Sequence, residues 1–242
     1  MRPHCERTQM TRDLENEKKL AAEAAAELVE NGMTVGLGTG STVAYLLPAL
    51  ARRSLSLRCV ATSLRTEETA RSLGILVETF AGVEHLDMAI DGADQIAPDG
   101  WLVKGGGGAH TREKLVAVTA ERFIVIADST KPVERIHPPI PLELLFFGLT
   151  STLQRLDPTT LRDAPASPDG GVIADFTGDV GDHAALAARL DATSGVVEHG
   201  LFPSQLVTQV LIGRGTQVTE IVIHPAGAEP VSEGRDDQTG RP

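Results

Sequence analysis

The chain has 242 residues, of which 41% are hydrophobic and 23% are charged, a balance typical of soluble globular domains. Lys and Arg number 22 against 33 Asp and Glu, and the net charge of −11 argues against nucleic acid or a membrane surface as partner while leaving room for a small phosphorylated ligand. The two cysteines, the absence of a secretory leader and the lack of a membrane-length apolar run lead us to expect a cytoplasmic protein with reduced thiols.

Helices and strands alternate through the first half of the chain. Residues 13–30 place Leu and Ala at helical spacing and end at Asn31-Gly32, which predicts a helix with a glycine C-cap. The strands and helices that we predict after it are MTVGLG, TGSTVAYLLPALARR, LRCVATS, RTEETARSLG, ILVETF, HLDMAIDGAD, WLVKGGGG, TREKLVAVTAE and RFIVIAD. Continuous apolar strands that alternate with helices indicate an α/β fold with a doubly wound, mostly parallel sheet, Rossmann-like in outline.

The pattern changes after Lys131. Residues 135–205 contain prolines, a hairpin-like SPDGG turn and the helix DHAALAARLDA, so we predict a smaller inserted α+β domain there. The segments VTQVLIGR and VTEIVI then return to the main sheet. The main domain is thus predicted to comprise residues 13–134 and 206–225, with disordered tails at 1–12 and 226–242.

The first glycine-bearing turn is GLGTGST, residues 36–42, between a strand and a helix. Amide groups at a helix N-terminus together with Ser and Thr hydroxyls suit a phosphate. No lysine follows the glycines as a Walker loop requires, and Ser41 stands where a dinucleotide-binding turn needs its third glycine. A plain β–α turn in which Ser or Thr caps the helix is the alternative.

The second turn is DGAD, residues 91–94, at the end of an apolar strand. Its two carboxylates can converge on one ligand hydroxyl, because open α/β sheets bind ligands at the carboxyl ends of their strands. The alternative is an Asx-type turn in which Gly92 supplies a special dihedral angle. No His or Cys lies close by in sequence, so we expect no metal site.

The third segment is KGGGGAHTREK, residues 104–114. Four consecutive glycines cost much conformational entropy, so we favour a backbone that approaches a ligand closely, with Lys104 adding a cation. Thr111 is the expected helix N-cap and Glu113 lies in the first helical turn. The alternative makes Glu113 a partner of the helix dipole and Lys104 a solvated side chain.

Together with IADSTK, these segments resemble the type A ribose-5-phosphate isomerase family, from the pair Lys18-Lys19 to about Ile223. The resemblance implies an enzyme that interconverts ribose 5-phosphate and ribulose 5-phosphate without metal or organic cofactor. It also implies a homodimer or homotetramer, with the 135–205 domain as the expected contact.

The same resemblance implies roles for individual residues. Glu113 would be the proton acceptor, with Asp94 and Lys104 assisting ring opening and Asp91 orienting them. Lys18, a less specific match, would point at the phosphate. The substrate would be bound by Thr39, Gly40, Ser41, Thr42, Asp91, Gly92, Ala93, Asp94, Lys104, Gly105, Gly106, Gly107 and Lys131.

Two residues depart from the family pattern and three rival functions stay open. We expect His110 to be a satisfied surface residue and Trp101 to serve packing. An amino-sugar-phosphate deaminase or a coenzyme A transferase shares the architecture, the latter with a glutamate nucleophile. A sugar-phosphate sensor would be expected to lack Glu113 and to carry a DNA-binding element, which this sequence does not show.

Overall fold

The computed structural model describes residues 3–223, with side chains described from Met10 onward. The predicted tail at 226–242 lies outside these residues. The helices are α1 (Pro3–Glu27), α2 (Val43–Arg52), α3 (Leu64–Ser72), α4 (His110–Thr119), α5 (Leu149–Arg155) and α6 (His183–Asp191). Within residues 3–223, no helix combines the length and the apolar character needed to cross a membrane.

Thirteen strands form three sheets within the described residues. They are β1 (Thr34–Leu37), β2 (Arg58–Ala61), β3 (Leu86–Gly92), β4 (Gln95–Ile96), β5 (Leu102–Val103), β6 (Ala120–Ala127), β7 (Ile140–Leu144), β8 (Thr159–Leu161), β9 (Val172–Phe176), β10 (Val196–His199), β11 (Leu201–Phe202), β12 (Gln209–Arg214) and β13 (Gln217–Val222). Two short 3₁₀ helices, Phe80–Gly82 and Ser204–Leu206, complete the elements.

The main sheet has the strand order β13-β12-β6-β3-β1-β2. Its pairings are parallel except for the edge hairpin β12–β13. From β1 the chain builds first towards β2 and then, on the other side, towards β3 and β6. The gap between β1 and β3 is therefore a topological switch point, where sheets of this kind bind ligands.

Apolar side chains cover both faces of the main sheet. The alanine-rich face of α1 and the leucines of α2 are buried against one face, and Val116 and Ala117 of α4 pack on the other. The predicted α/β fold with a mostly parallel sheet is confirmed. Both VTQVLIGR and VTEIVI return to this sheet as predicted.

The second sheet, β10-β7-β9-β8, is wholly antiparallel and lies within residues 140–199. With α5 and α6 it has the α+β character predicted for 135–205, while β11 pairs with β5 to join this segment to the first half of the chain. We refer to residues 140–199 as the small sheet unit. The exact division of the chain into domains stays a prediction.

Two local predictions were wrong. Helix α1 begins at Pro3, so the helix extends back through most of the segment 1–12 that was expected to be a disordered tail. Segment ILVETF does not form a strand: Val77 makes one isolated bridge to Cys59, and Phe80 begins a 3₁₀ helix. This segment therefore contacts β2 through that single bridge, and of its apolar residues only Val77 is fully buried.

Candidate active site

A solvent-open cavity lies at the carboxyl ends of β1 and β3. It is lined by Thr39, Gly40, Ser41, Thr42, Gly92, Ala93, Asp94, Lys104, Gly105, Gly106, Gly107, Glu113 and Lys131. Every site residue expected from the sequence lies on this wall except Asp91 and Lys18. Segments far apart in the chain thus meet at the switch point of the main sheet.

Asp91 lies directly beneath the wall, in a buried group of three charges. The Nζ atom of Lys104 is 2.9 Å from Oδ2 of Asp91 and 3.1 Å from Oε2 of Glu113, and it donates a 2.6 Å hydrogen bond to the carbonyl of Gly92. All three charged side chains are at most 5% exposed. Removing Lys104 would leave two buried carboxyl groups without a counter-charge, so the lysine holds both of them in place.

Burial shifts the pKa values of this triad. Burial and then the nearby charge of Asp91 raise the pKa of Glu113 to about 8, with Lys104 opposing the shift. Burial also raises the pKa of Asp91, against the attraction of Lys104. For Lys104, burial alone would lower the pKa, but the two carboxylates outweigh it and raise the value. Glu113 is therefore a carboxyl group that can both take and return a proton near neutral pH.

The first turn is fastened to β3 by Asp91. Its Oδ1 accepts hydrogen bonds from the amides of Thr39 at 3.0 Å and Gly92 at 2.7 Å. A Cβ at Gly38 would lie 2.0 Å from the Asp91 carboxyl carbon, so this position requires glycine. The turn is therefore anchored to the same carboxylate that orients Lys104.

Hydroxyl groups complete the first turn. Oγ1 of Thr39 bonds to Ser63 and, at 2.8 Å, to Thr66, whose own hydroxyl donates to the carbonyl of Gly38. Thr42 precedes α2 but makes no capping hydrogen bond through its side chain. The alternative of a simple capped β–α turn is therefore not what the structure contains, and the Thr42 hydroxyl remains available at the cavity wall.

The glycine run adopts a conformation that other residues would resist. Gly105 has φ +101°, and a Cβ there would lie 2.6 Å from Nδ1 of His110 and 2.8 Å from Cβ of Pro141. The amide of Gly106 donates a 2.7 Å hydrogen bond to Oδ2 of Asp94. The run thus passes close to His110 and Pro141, while the Gly106 amide is directed at Asp94.

Helix α4 carries Glu113 and is anchored to the small sheet unit. The N-cap position is Ala109, so the expectation that Thr111 caps the helix was wrong. The Thr111 hydroxyl instead donates to the buried carboxylate of Glu143. Lys114 donates to Glu198 at 2.5 Å and to the carbonyl of His199 at 2.8 Å. Residues on either side of Glu113 in sequence therefore bind the second sheet while Glu113 itself faces the cavity.

Two other expectations for single residues were wrong. His110 is fully buried rather than at the surface, and burial lowers its pKa to about 3, so the ring is neutral. Lys18 does not line the cavity; it forms a 2.6 Å ion pair with Glu15 of its own helix. Trp101 packs, partly buried, against the core of the small sheet unit, as expected.

The contacts from the small sheet unit were missed by the sequence analysis. Glu143 binds Thr111, and the guanidinium of Arg162 bonds to the glycine run. No motif surrounds either residue in the sequence. A glutamate in the otherwise apolar strand segment IPLELL was the one available signal, because a buried charge must have a partner.

Comparison with known proteins identifies the family. Residues 58–217 match the family model described as ribose 5-phosphate isomerase A (phosphoriboisomerase A). The chain is 44% identical over 223 residues to ribose-5-phosphate isomerase A of Caulobacter sp. (strain K31), a match that covers 86% of this chain and 98% of the relative.

Solved structures agree with this match. Ribose 5-phosphate isomerase A from Neisseria gonorrhoeae superposes with a TM-score of 0.82 at 30% identity, covering 86% of this chain and 96% of that one. A D-ribose-5-phosphate isomerase in complex with phospho-erythronic acid gives 0.81 at 30% identity, covering 86% and 99%. The chain belongs to the ribose 5-phosphate isomerase A family.

Proposed function

We propose that this chain interconverts D-ribose 5-phosphate and D-ribulose 5-phosphate, the aldose-ketose isomerisation of the non-oxidative pentose phosphate pathway, without a cofactor. The observation that carries the proposal is the Glu113 carboxyl, ion-paired to Lys104 at 3.1 Å on the wall of a cavity lined by glycine, serine and threonine residues. The solved relative that holds phospho-erythronic acid, a four-carbon phosphorylated acid, supports a sugar phosphate as the ligand.

Glu113 acts as the base in this mechanism. Its carboxylate removes the proton from C2 of the open-chain aldose; the C–H electrons form the C1=C2 double bond, and the C1 carbonyl oxygen becomes anionic. The hydroxyl proton on O2 then moves to O1, and the protonated Glu113 returns its proton to C1. A pKa of about 8 suits both steps, because a base works best when its pKa lies near the working pH.

The negative charge of the enediolate is stabilised by Lys104 and by the glycine run. The ammonium group of Lys104 lies on the cavity wall between the two carboxylates. Gly106 and Gly107 lie on the same wall. Fixed charges and dipoles aimed at a developing anion usually supply the largest share of catalysis.

Asp94 is proposed to open the sugar ring. Ribose 5-phosphate is mostly a closed ring, so a proton must move from the anomeric hydroxyl to the ring oxygen before isomerisation. Asp94 lies on the cavity wall, and the amide of Gly106 holds its Oδ2 at 2.7 Å. Asp91, bound to Lys104, orients the ammonium group that assists this step.

The phosphate is proposed to bind between the first turn and Lys131. Residues 39–42, with their amides and hydroxyls, and Lys131 with its ammonium group all line the cavity. A remote phosphate held there would position the reacting carbons near Glu113, so that binding energy supports the chemical step.

The direct test uses purified protein, ribose 5-phosphate and a chelator, with ketose formation followed over time. We expect steady ribulose 5-phosphate production that EDTA does not reduce. Absence of ketose would overturn the proposed activity, and loss of activity on chelation that added metal restores would overturn the cofactor-free mechanism. A hydroxylamine-sensitive thioester on Glu113 after treatment with an acyl-coenzyme A would instead favour a transferase.

Assembly and location belong to the same proposal. We expect a homodimer or homotetramer in the cytoplasm, with the 135–205 segment in the contact. Phe146 and Phe147, 76% and 92% exposed in the single chain, support that surface. Light scattering of the wild type and of a Phe147→Ser variant tests it, and a monomeric wild type would contradict it.

A further inference from the structure

We propose that Arg162 is a positioning residue for this reaction: it fixes the peptide groups of the glycine run so that their N–H groups face the substrate side. The inference rests on the proposed isomerase function, and it adds a residue from the small sheet unit to a site otherwise lined by residues 39–131. Arg162 does not line the cavity and acts through the backbone of Gly105 and Gly106.

The guanidinium of Arg162 is held firmly in its own unit. Arg162 directly follows β8, and its amide donates a 3.0 Å hydrogen bond to the carbonyl of Ile173 on β9. Its Nε and Nη2 atoms donate to the two carboxylate oxygens of Asp175 at 2.7 and 2.6 Å. This paired geometry leaves Nη1 directed at a third partner, and both side chains are at most 20% exposed.

That third partner is the glycine run. Nη1 donates to the carbonyl of Gly105 at 2.8 Å and to the carbonyl of Gly106 at 3.0 Å. In a trans peptide the N–H group points opposite to the carbonyl of the same plane. The N–H groups of Gly106 and Gly107 must therefore point away from Arg162.

The opposite side of the run is the catalytic side. The N–H group of Gly106 already donates to Asp94 at 2.7 Å, as this argument requires. Gly107 lies on the cavity wall with Lys104 and Glu113. One guanidinium therefore sets the direction of two adjacent peptide dipoles, and its positive charge strengthens their N–H groups as donors.

Glycine peptides need such a restraint. Glycine occupies positive and negative φ with similar ease, so a peptide plane in this run can turn over at little cost. A turned plane would present a carbonyl oxygen, rather than an N–H group, to Asp94 or to the enediolate. Because Arg162 binds two successive carbonyls, turning either plane would break a charge-assisted hydrogen bond.

The test compares Arg162→Ala, Arg162→Lys and Arg162→Gln with Arg155→Ala in the full-length protein. Arg155 is a matched control: it also lies in the small sheet unit and donates to a backbone carbonyl, that of Ser194 at 2.8 Å. For each variant we would measure kcat and KM for ribose 5-phosphate, the inhibition constants of phospho-erythronic acid and of inorganic phosphate, and Tm.

We expect Arg162→Ala to lower kcat roughly 10- to 100-fold, less than the loss from deleting a donor outright, with KM nearly unchanged. Its inhibition constant for phospho-erythronic acid should rise while that for inorganic phosphate stays constant. Arg162→Lys should recover part of kcat, and millimolar guanidinium, but not sodium, should partly rescue Arg162→Ala. Arg155→Ala should keep wild-type kinetics.

If Arg162→Ala fails to fold, the milder variants Arg162→Lys and Arg162→Gln still test whether Arg162 positions the glycine run. Folded Arg162 variants that retain kcat within about twofold while losing Tm would reduce Arg162 to a structural link and overturn the inference. An inactive wild type would overturn the proposed function itself, so the two failures can be told apart.

Discussion

The two glycine-bearing segments of the cavity are held in different ways. The turn at residues 38–42 is fixed by Asp91 of β3 and by Ser63 and Thr66 at the start of α3, all from the first half of the chain. The run at residues 104–108 bonds to Gly92 and Asp94 of the first half, but it is also fixed by residues from the small sheet unit and its flank. Lys104 donates its amide to the carbonyl of Gly200, and Gly105 bonds to Arg162.

This difference separates the segment proposed to bind the phosphate from the segment proposed to transfer the proton. The turn assigned to phosphate binding is complete once strand β3 and the β1–α2 and β2–α3 connections have formed. The segment assigned to proton transfer is complete only when the second sheet lies against it, since α4 is also anchored there through Thr111 and Lys114. Variants in the first segment should therefore change KM, and variants in the second should change kcat.

Glu113→Gln should give the largest effect. Removing the base should lower kcat by about 10²- to 10⁴-fold, the usual contribution of a positioned general base, while the phosphate contacts survive. Steady-state kinetics and calorimetric titration with phospho-erythronic acid would measure the two properties separately. Glu121→Gln, at a glutamate 70% exposed on β6, is the control. Turnover near the wild-type value in Glu113→Gln would reject Glu113 as the base.

Lys131→Ala should give the opposite pattern. Lys131 lines the cavity at the turn after β6. In this turn the amide of Thr130 donates a 2.9 Å hydrogen bond to Oδ1 of Asp128. Loss of one charge-assisted contact to phosphate should raise KM roughly 10- to 100-fold with a smaller fall in kcat. Lys19→Ala, at an exposed lysine of α1, is the control. A fall in kcat at constant KM would contradict a binding role for Lys131.

The pH dependence of kcat/KM should follow the buried carboxyl. Burial raises the pKa of Glu113 to about 8, and the base must be ionised to act. We expect kcat/KM to rise about tenfold per pH unit below that value and to level off above it, because kcat/KM reports groups of the free enzyme. A profile flat between pH 6 and about 8 would show that the base is already ionised at pH 6, and it would contradict a base with a pKa raised to about 8.

The free energy of unfolding should also depend on the ionisation of Glu113, but this contribution should fall, where kcat/KM rises, as the pH increases. The pKa of Glu113 rises on folding from its ordinary value of 4.5 to about 8, so the folded state holds an extra proton between these limits. The contribution of Glu113 to the free energy of unfolding is therefore full below about 4.5 and is lost as the pH rises through about 8. Denaturant titrations of the wild type and Glu113→Gln should differ in slope across this window.

Gly105→Ala should give the smallest effect, and on stability first. The added Cβ would meet His110 and Pro141 in a backbone that already has φ +101°, which we expect to cost about 1–3 kcal/mol. Gly32→Ala is a matched control, with φ +92° and nothing within 4 Å of the new Cβ. Tm should fall further in Gly105→Ala; equal shifts would mean that the close packing of the run costs nothing.

The main sheet was predictable because its signals are local. Its central strands are short apolar runs, and the carboxyl ends of parallel strands gather their turns at one edge. That rule brings Asp91 to the turn at Thr39 without any knowledge of side-chain contacts. The failed strand ILVETF had the same local pattern, but beside β2 it makes only one bridge.

The support of the catalytic segment was not predictable for the opposite reason. The partners of Thr111 and Gly105, Glu143 and Arg162, lie 32 and 57 residues away along the chain. The Thr111 hydroxyl was expected to cap α4, because its actual partner, Glu143, cannot be inferred from the residues next to Thr111 in the sequence. His110 was expected at the surface for the same reason, because the elements that bury it arrive from beyond residue 135.

The contact between α1 and β12 can form only at the end of synthesis of the chain, because α1 is made first and β12 is made near the end. Glu17 accepts the amide of Gly215 at 2.7 Å, and a Cβ at Gly213 would lie 2.0 Å from the backbone oxygen of Glu17. The two partners are 198 residues apart, which at usual translation speeds separates their emergence from the ribosome by about 10–40 s. During that interval strand β12 is not yet available to pack against α1. Premature termination before β12 should therefore yield a chaperone client rather than a smaller folded enzyme.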